Sequence, residues 1–310
     1  MIPKVSVIIP TYNRAHLLRM AIVSILNQTF QDFEILVIDD CSNDGTQEVI
    51  RDFHDKRVQY IRHKVNKGEA GARNTGILNS NAEYIAFLDD DDAWLPEKLM
   101  LQVNLLKKCP PEVGGIYTSC IEIDGINKRT SWQRTATKRG YIYYDMFIEN
   151  CVGTPSTVIV RRECFKKVGL FDESLGFGTD YDMWIRISRE FRFEYIKEPL
   201  VKYYVHNNRI SSNLEIRIRC MEKILKKYYR FFTLNRKGYS RFQRRLGVLY
   251  CYTGNNKKGR RMLLNAILIY PFEIKGYFNL GFSILNTNNF RRLMELQKKF
   301  SIIHKGKDIS

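Results

Sequence analysis

The sequence predicts an α/β protein: a mostly parallel, mixed sheet flanked by helices, followed by a basic, helical C-terminal region. Three observations carry this. Short apolar runs alternate with helical-period segments over residues 1–100, as in a parallel sheet built with right-handed crossovers. The runs do not alternate polar and apolar, which fits strands covered on both faces. Charge is also segregated: residues 205–310 hold 23 Lys/Arg against 5 Asp/Glu, and residues 1–204 hold 27 against 28.

Taken in order, "VSVIIP" is the first buried strand, and a helix follows from His16 to Gln28 on the spacing of Leu17, Leu18, Ala21, Ile22 and Ile25. "EILVIDD" is the second strand, and Thr46 is placed to cap the next helix, "QEVIRDFH". "VQYIRH" is the third strand, and "AGARNTGILNS" reads as a loop leading into a helix. "YIAFLD" is the fourth strand, with Pro96 as the first residue of the helix that follows. Beyond it, "GGIYTSCIEI" is strand-like, 124–140 is a polar loop, and "STVIVRR", "YDMWIRISREF" and "FEYIKEPLVKYYVH" read as strand, helix and strand. From about residue 211 the pattern is helical and basic, punctuated by "TGNNKKG" and Pro271.

Composition excludes several classes. No apolar stretch reaches 18 residues, so a membrane-spanning helix is not expected. The apolar run near the N-terminus, five residues between prolines, is too short for a signal-peptide core. Seven cysteines with no C-x-x-C pair argue against a disulfide framework or a zinc ribbon, and favour a reducing cytoplasm. The turn after the first strand, "PTYNRAH", contains no glycine, so a dinucleotide fingerprint is absent, and no P-loop occurs. "DCSNDGTQEVIR" partly mimics an EF-hand loop but has Arg51 at its twelfth position.

In an open parallel sheet, ligands bind outside the carboxyl ends of the strands. Three strands here end in polar residues: Pro10-Thr11-Tyr12-Asn13, Asp39-Asp40 and Asp89 to Asp92. Three such ends on one edge imply a shared polar cleft. Neighbouring carboxylates repel by roughly 3 kcal/mol at ~6 Å and an effective dielectric of ~20. The aspartate run therefore invites a hard divalent cation, Mn2+ or Mg2+. On an extended chain Asp89 and Asp91 would share one side and Asp90 the other. Asp92 is left as an ordinary loop residue.

"VSVIIPTYNR", "LVIDDCSNDGT", "NKGEAGARNTGI", "YIAFLDDDDAWLPEKL" and "GTDYDMWIRI" together resemble, in order and spacing, family 2 glycosyltransferases with a GT-A fold. "TPSTVIVRRECFKKVGLFDE" looks like the segment that family places before its catalytic-base loop, and the likeness covers roughly residues 3–208. It implies an inverting, metal-dependent transfer of a hexosyl or N-acetylhexosaminyl group from a nucleotide sugar, a UDP-sugar above others, in cell-surface polysaccharide synthesis. By the same resemblance, Pro10, Thr11, Tyr12, Asn13, Asp39 and Asp40 hold the nucleotide, with Arg73 and Lys67 near base or phosphate. Asp89 and Asp91 form the D-x-D pair, Asp91 being the direct metal ligand, and Asp89 and Asp90 alternatively reach the ribose. Asp180 is the base, its other reading being a helix N-cap. Many relatives carry Glu-Asp where this chain has Thr179-Asp180. Trp184 is a core residue by pattern, although the family places an aromatic near the acceptor there. His206 has two readings, a contact to diphosphate or metal and a structural histidine. A sugar nucleotidyltransferase and a non-catalytic nucleotide-sugar-binding membrane scaffold are the competing functions.

The expected organisation is a GT-A domain over 1–208, with a nucleotide-binding half 1–100 and an acceptor half 101–208, and a basic helical region over 209–310. Basic helices with interleaved aromatics, such as Lys223 to Arg230 and Arg241 to Leu246, suit an anionic membrane surface. Beside a sugar-transfer domain that reading is preferred to nucleic acid. The expected partners are a nucleotide-sugar donor, a glycan or lipid-linked saccharide acceptor, and the inner face of the plasma membrane.

Overall fold

The computed structural model describes residues 2–124, 129–176, 178–206, 213–285 and 287–294. The chain divides into two compact units, Met1–Tyr143 with Cys151–Asn207, and Tyr144–Asn150 with Asn208–Ser310.

The first unit begins β1 (Val5–Thr11), α1 (Ala15–Leu26), β2 (Phe33–Asp39), α2 (Thr46–Arg51), β3 (Val58–Arg62), α3 (Gly68–Asn79), β4 (Tyr84–Phe87), β5 (Ala93–Trp94) and α4 (Lys98–Lys108). It continues with β6 (Val113–Asp124) and β7 (Thr130–Arg134). After α5 (Tyr143–Ile148), which falls almost wholly in the second unit, come β8 (Val158–Arg161), α6 (Arg162–Val168), α7 (Thr179–Glu190) and β9 (Arg192–Val205). All strands join one sheet in the order β3-β2-β1-β4-β8-β6-β9-β5, with β7 paired to β6. The β3-β2-β1-β4 half is parallel, whereas β8 runs antiparallel to both β4 and β6. The sheet is therefore mixed, with its parallel half at the N-terminal end of the chain.

The runs that lacked alternation are buried throughout: every residue of β1 and β4 is buried. Helices cover the sheet, Leu18, Ala21, Ile22 and Ile25 of α1 facing it as the spacing required. Four local expectations differ. Thr46 is the first helical residue of α2, and Asp44 Oδ1 accepts its backbone N–H at 3.1 Å, so Asp44 serves the helix start. The "AGARNTGILNS" stretch is helical, because the Asp40 carboxylate accepts from Lys67 N and Gly68 N and nucleates α3 two residues earlier. Pro96 lies in the turn before α4. The 124–140 stretch contains β7, which finds a partner in the long strand β6.

The second unit holds α5, α8 (Leu214–Lys227), α9 (Tyr229–Leu234), α10 (Arg236–Tyr252), α11 (Asn256–Ile269) and α12 (Ile274–Phe282). Phe147 of α5 packs edge-on against Phe232 of α9, centroids 4.9 Å apart. Helices α10 and α11 cross closely: a Cβ on Gly247 would stand 2.9 Å from the Gly259 carbonyl oxygen, so glycine is required there. Among the described residues no helix is long and apolar enough to cross a membrane. All seven cysteines are free.

Candidate functional site

Parallel register sets Thr11 level with Asp39 and Asp39 level with Arg62, so β1, β2 and β3 end together. Beside them Leu88 N donates to Ile8 O at 3.1 Å, carrying β4 to the same edge before the aspartates begin. Asp92 N then donates to Asp89 O at 3.0 Å. The four aspartates therefore fold as a turn, and strand alternation does not govern them. The turn brings Asp92 back: one oxygen each of Asp89, Asp91 and Asp92 lies within 4.8 Å of the others. Asp92, left aside on sequence grounds, is fully buried within the cluster.

Each carboxylate has donors from separate elements. Asp89 receives Arg73 Nη2 at 2.8 Å and Thr154 Oγ1 at 3.2 Å. Asp90 receives Thr11 Oγ1 at 2.8 Å and Arg14 Nη1 at 3.0 Å. Asp91 receives the same Arg14 nitrogen at 3.1 Å, and His206 Nε2 lies 2.9 Å from its Oδ2. Asp92 receives Ser156 Oγ at 2.7 Å and Tyr204 N at 3.3 Å. Burial pushes the Asp90 carboxyl up to about 7, with Arg14 opposing the rise and Asp91 adding to it.

A second group of acids surrounds Arg73. Its buried guanidinium bonds Glu69 as well as Asp89, and its Nε has no hydrogen-bond partner. Asp180 sits in the same field. Helix α7 starts after Gly178, whose φ of 72° is left-handed, and Asp180 falls in the first turn without capping it. Burial raises the pKa of Asp180; the Arg73 charge opposes that and Asp89 adds to it. Glu69 is likewise raised by burial, against Arg73 and with Asp89 and Asp180. One cation thus serves three carboxylates.

The remaining sequence candidates divide. Pro10 is buried at the end of β1, whereas Tyr12 is exposed at the same edge. Asn13 adopts φ 53° and its Oδ1 accepts from Asn43 N at 2.8 Å, tying the loops after β1 and β2 together. Lys67 is exposed just before α3. Asp39 accepts from Ser42 N and the Tyr60 hydroxyl. Asp40 accepts from Lys67 N and Gly68 N, and its Oδ1 lies 2.7 Å from His63 Nδ1, so it builds the α3 entrance at this edge. Arg73 is buried, and its guanidinium meets the carboxylates of Glu69 and Asp89. Trp184 is fully buried against Phe87 and Phe171 and donates to Gly153 O, so it is a core residue and offers no sugar platform.

Sequence reasoning missed Arg14, Glu69, Thr154 and Ser156 as partners of the acids. Arg14 closes "PTYNR" and Thr154 and Ser156 lie in "TPST", so both motifs carried the signal. An open depression of about 640 Å3 lined by Lys4, Glu83, Arg161 and Lys166 lies at the opposite, amino ends of β1 and β4 and shares no residue with the cluster.

The carboxylate oxygens suit a hard cation. Three acidic oxygens in close approach, with their mutual repulsion only partly offset, are a donor set for Mn2+ or Mg2+. Hydroxyl and guanidinium donors surround them.

Comparison with known proteins bears on what that ligand is. The model of Glycosyl transferase family 2 matches residues 6–169. An uncharacterized glycosyltransferase of Rickettsia typhi is 33% identical over 218 residues, covering 68% of this chain and 66% of that protein, so this chain spans about two thirds of its length. The Escherichia coli UDP-Glc:alpha-D-GlcNAc-diphosphoundecaprenol beta-1,3-glucosyltransferase WfgD is 31% identical over 67% of this chain and 80% of its own. Among solved structures, Staphylococcus aureus TarS 1-349 in complex with UDP-GlcNAc superposes with a TM-score of 0.64 at 18% identity, covering 96% of this chain and 92% of that one. That likeness places the fold in the GT-A class. The chain belongs to glycosyl transferase family 2.

Proposed function

We propose that this chain transfers a hexosyl or N-acetylhexosaminyl group, with inversion, from a UDP-sugar to a hydroxyl of a glycan or lipid-linked saccharide in cell-surface polysaccharide synthesis. The observation that carries the reading is the meeting of Asp89, Asp91 and Asp92 at the strand ends, one guanidinium away from Asp180. The nucleotide-binding edge is the surface of Pro10, Thr11, Tyr12 and Asn13 with Asp39, bounded by Lys67. Asp40 shapes that edge through α3. Asp89 and Asp90 face the ribose side.

Asp91 and Asp89 would hold Mn2+ or Mg2+, with Asp92 completing the acidic set. The cation, when bound, supplies the charge that stabilises a departing diphosphate. Arg14 and His206 hold Asp91 in place, and Thr154 and Ser156 hold Asp89 and Asp92. Asp180 accepts the acceptor hydroxyl's proton as that oxygen bonds to the sugar's anomeric carbon. The bond from that carbon to the diphosphate oxygen breaks on the opposite face, and UDP leaves. The raised pKa of Asp180 gives it a stronger affinity for that proton than a solvated carboxylate has. Arg73 opposes that rise and so favours the ionised form that acts as the base.

The names of the relatives support the donor and acceptor classes: WfgD acts from UDP-Glc on a diphosphoundecaprenol-linked sugar, and TarS was captured with UDP-GlcNAc. We place the protein at the cytoplasmic face of the plasma membrane, with the basic unit toward anionic lipid. The test is nucleotide release from a panel of nucleotide sugars in Mn2+, in Mg2+ and in chelator. Metal-dependent release from at least one UDP-sugar is expected. Release that proceeds undiminished in chelator, or release from no donor in the panel, contradicts the reading.

A further inference from the structure

In a soluble helical bundle the large apolar side chains of a helix face inward and the small polar ones outward. Helix α12 departs from this: only Leu280 and Phe282, at its end, pack against the core, and they are partly buried. Its buried positions, Gly276, Asn279 and then Ser283 just past its end, are small or polar. Its solvent-facing positions include Ile274, Tyr277 and Phe278. Spacing of i, i+3, i+4 puts these three on one side of the helix, and 276, 279 and 283 on the other.

The buried side is tied down by polar contacts. Glu273, just before the helix, pairs with Arg241 Nε at 3.1 Å and Arg244 Nε at 3.2 Å, and Arg260 donates to the Ser283 carbonyl at 3.0 and 2.8 Å. The orientation of α12 is therefore fixed, with Ile274, Tyr277 and Phe278 outward. The exposed face continues into its neighbours: Leu268 on the last turn of α11 is 67% exposed, Phe272 in the connecting turn 79%, and Ile284 beyond α12 72%. Single exposed apolar residues need no explanation, but an outward run of this kind marks a binding face.

Charge identifies what covers it. Residues 256–285 contain one acid, Glu273, which is buried and paired, against Lys257, Lys258, Arg260, Arg261 and Lys275. A second copy of the chain would set one strongly basic surface against another. An anionic bilayer offers both complements at once, phosphate charge for the lysines and arginines and acyl chains for the aromatic and aliphatic side chains.

We propose that the α11–α12 hairpin is a monotopic membrane anchor, with Phe272, Ile274 and Phe278 inserted below the headgroups of an anionic bilayer. This adds to the membrane contact proposed above the element that makes it, and a mode, insertion, that outlasts charge screening. It rests on the exposed face of the second unit alone.

The full chain is mixed with vesicles of phosphatidylglycerol and phosphatidylcholine, or of phosphatidylcholine alone, and sedimented. Binding to the anionic vesicles is expected, and part of it persists in high salt. The double variant Phe272→Ser, Phe278→Ser, checked by circular dichroism, should bind at least about tenfold more weakly, given the apolar area removed. Phe278→Trp should show a blue-shifted emission on anionic vesicles, and decides the matter if the double variant does not fold. The proposal is overturned by absence of sedimentation, by equal binding of wild type and the folded double variant, or by an unshifted Trp emission. It is also overturned if light scattering shows a dimer that the double variant disperses. Donor hydrolysis without lipid separates the readings: if it stands while vesicle binding fails, only the anchor is refuted.

Discussion

His206 Nε2 lies 2.9 Å from Asp91 Oδ2, although 115 positions separate the two residues. The residue just past the long strand β9 thus returns to the turn after β4. The contact orients the carboxylate proposed as the main metal ligand, and partners of this kind govern metal affinity about 10- to 100-fold when removed. His206→Ala should therefore lower turnover about tenfold at limiting Mn2+ and recover much of it at high Mn2+. A loss that no metal concentration repairs would assign His206 to the donor itself.

Asp91 and Asp92 occupy the same cluster from different directions. Asp91→Ala should reduce transfer by about a hundredfold or more, since the lost stabilisation of the leaving diphosphate amounts to several kcal/mol. Asp92→Asn keeps its bond to Ser156 and should mainly raise the Mn2+ concentration needed for half-maximal rate. Metal titrations of nucleotide release measure both.

The pH profile follows from Asp180. Its folded pKa is raised above the ordinary value of 3.8, and the base works only when ionised. Activity should accordingly be lost as pH falls through that raised value, giving an acid limb above the usual carboxylate range. Asp180→Asn should lower turnover by about 10²–10⁴ and abolish the limb. An unchanged rate in Asp180→Asn removes it as the base.

Arg73 is buried against three acids, so its removal strands them. Arg73→Gln should destabilise the fold by about 3–5 kcal/mol near neutral pH. Glu69 and Asp180 have raised folded pKa values, so their burial favours the protonated forms. The stability deficit should shrink as pH falls and those carboxyls take up protons. Urea denaturation at two pH values reads this directly.

Trp184 distinguishes packing from ligand contact. Trp184→Ala should cost about 3–5 kcal/mol of stability. In protein that remains folded, the Michaelis constant for the donor should stay within about twofold, because a fully buried ring without a ligand contact contributes packing and not uniform substrate binding.

Much of the site was legible because motifs sit at strand ends. An apolar run followed by polar residues marks both the strand and the edge where it opens, so the sequence sets Thr11, Asp39 and Asp89 to Asp91 at that edge. Asp92 was not, because alternation holds for strands and the chain turns at Asp90-Asp91. Arg14, Glu69, Thr154 and Ser156 were missed for a different reason. Their importance lies in which acid they meet, and that depends on four elements converging in space. Asp40 and Arg73 stand in the motifs as well, but that Asp40 starts α3 and that Arg73 meets Glu69 and Asp89 depends on the same convergence. In the second unit, charge was readable from sequence, whereas the outward face of α12 required knowing which of its sides is buried.

The most direct measurement is calorimetric titration of UDP into the protein with Mn2+ and again in chelator, for wild type and Asp91→Ala. Saturable binding that requires both the cation and Asp91 is the expected result. Equal affinity in chelator, or in Asp91→Ala, would contradict the assignment of the acidic cluster as the metal and donor site.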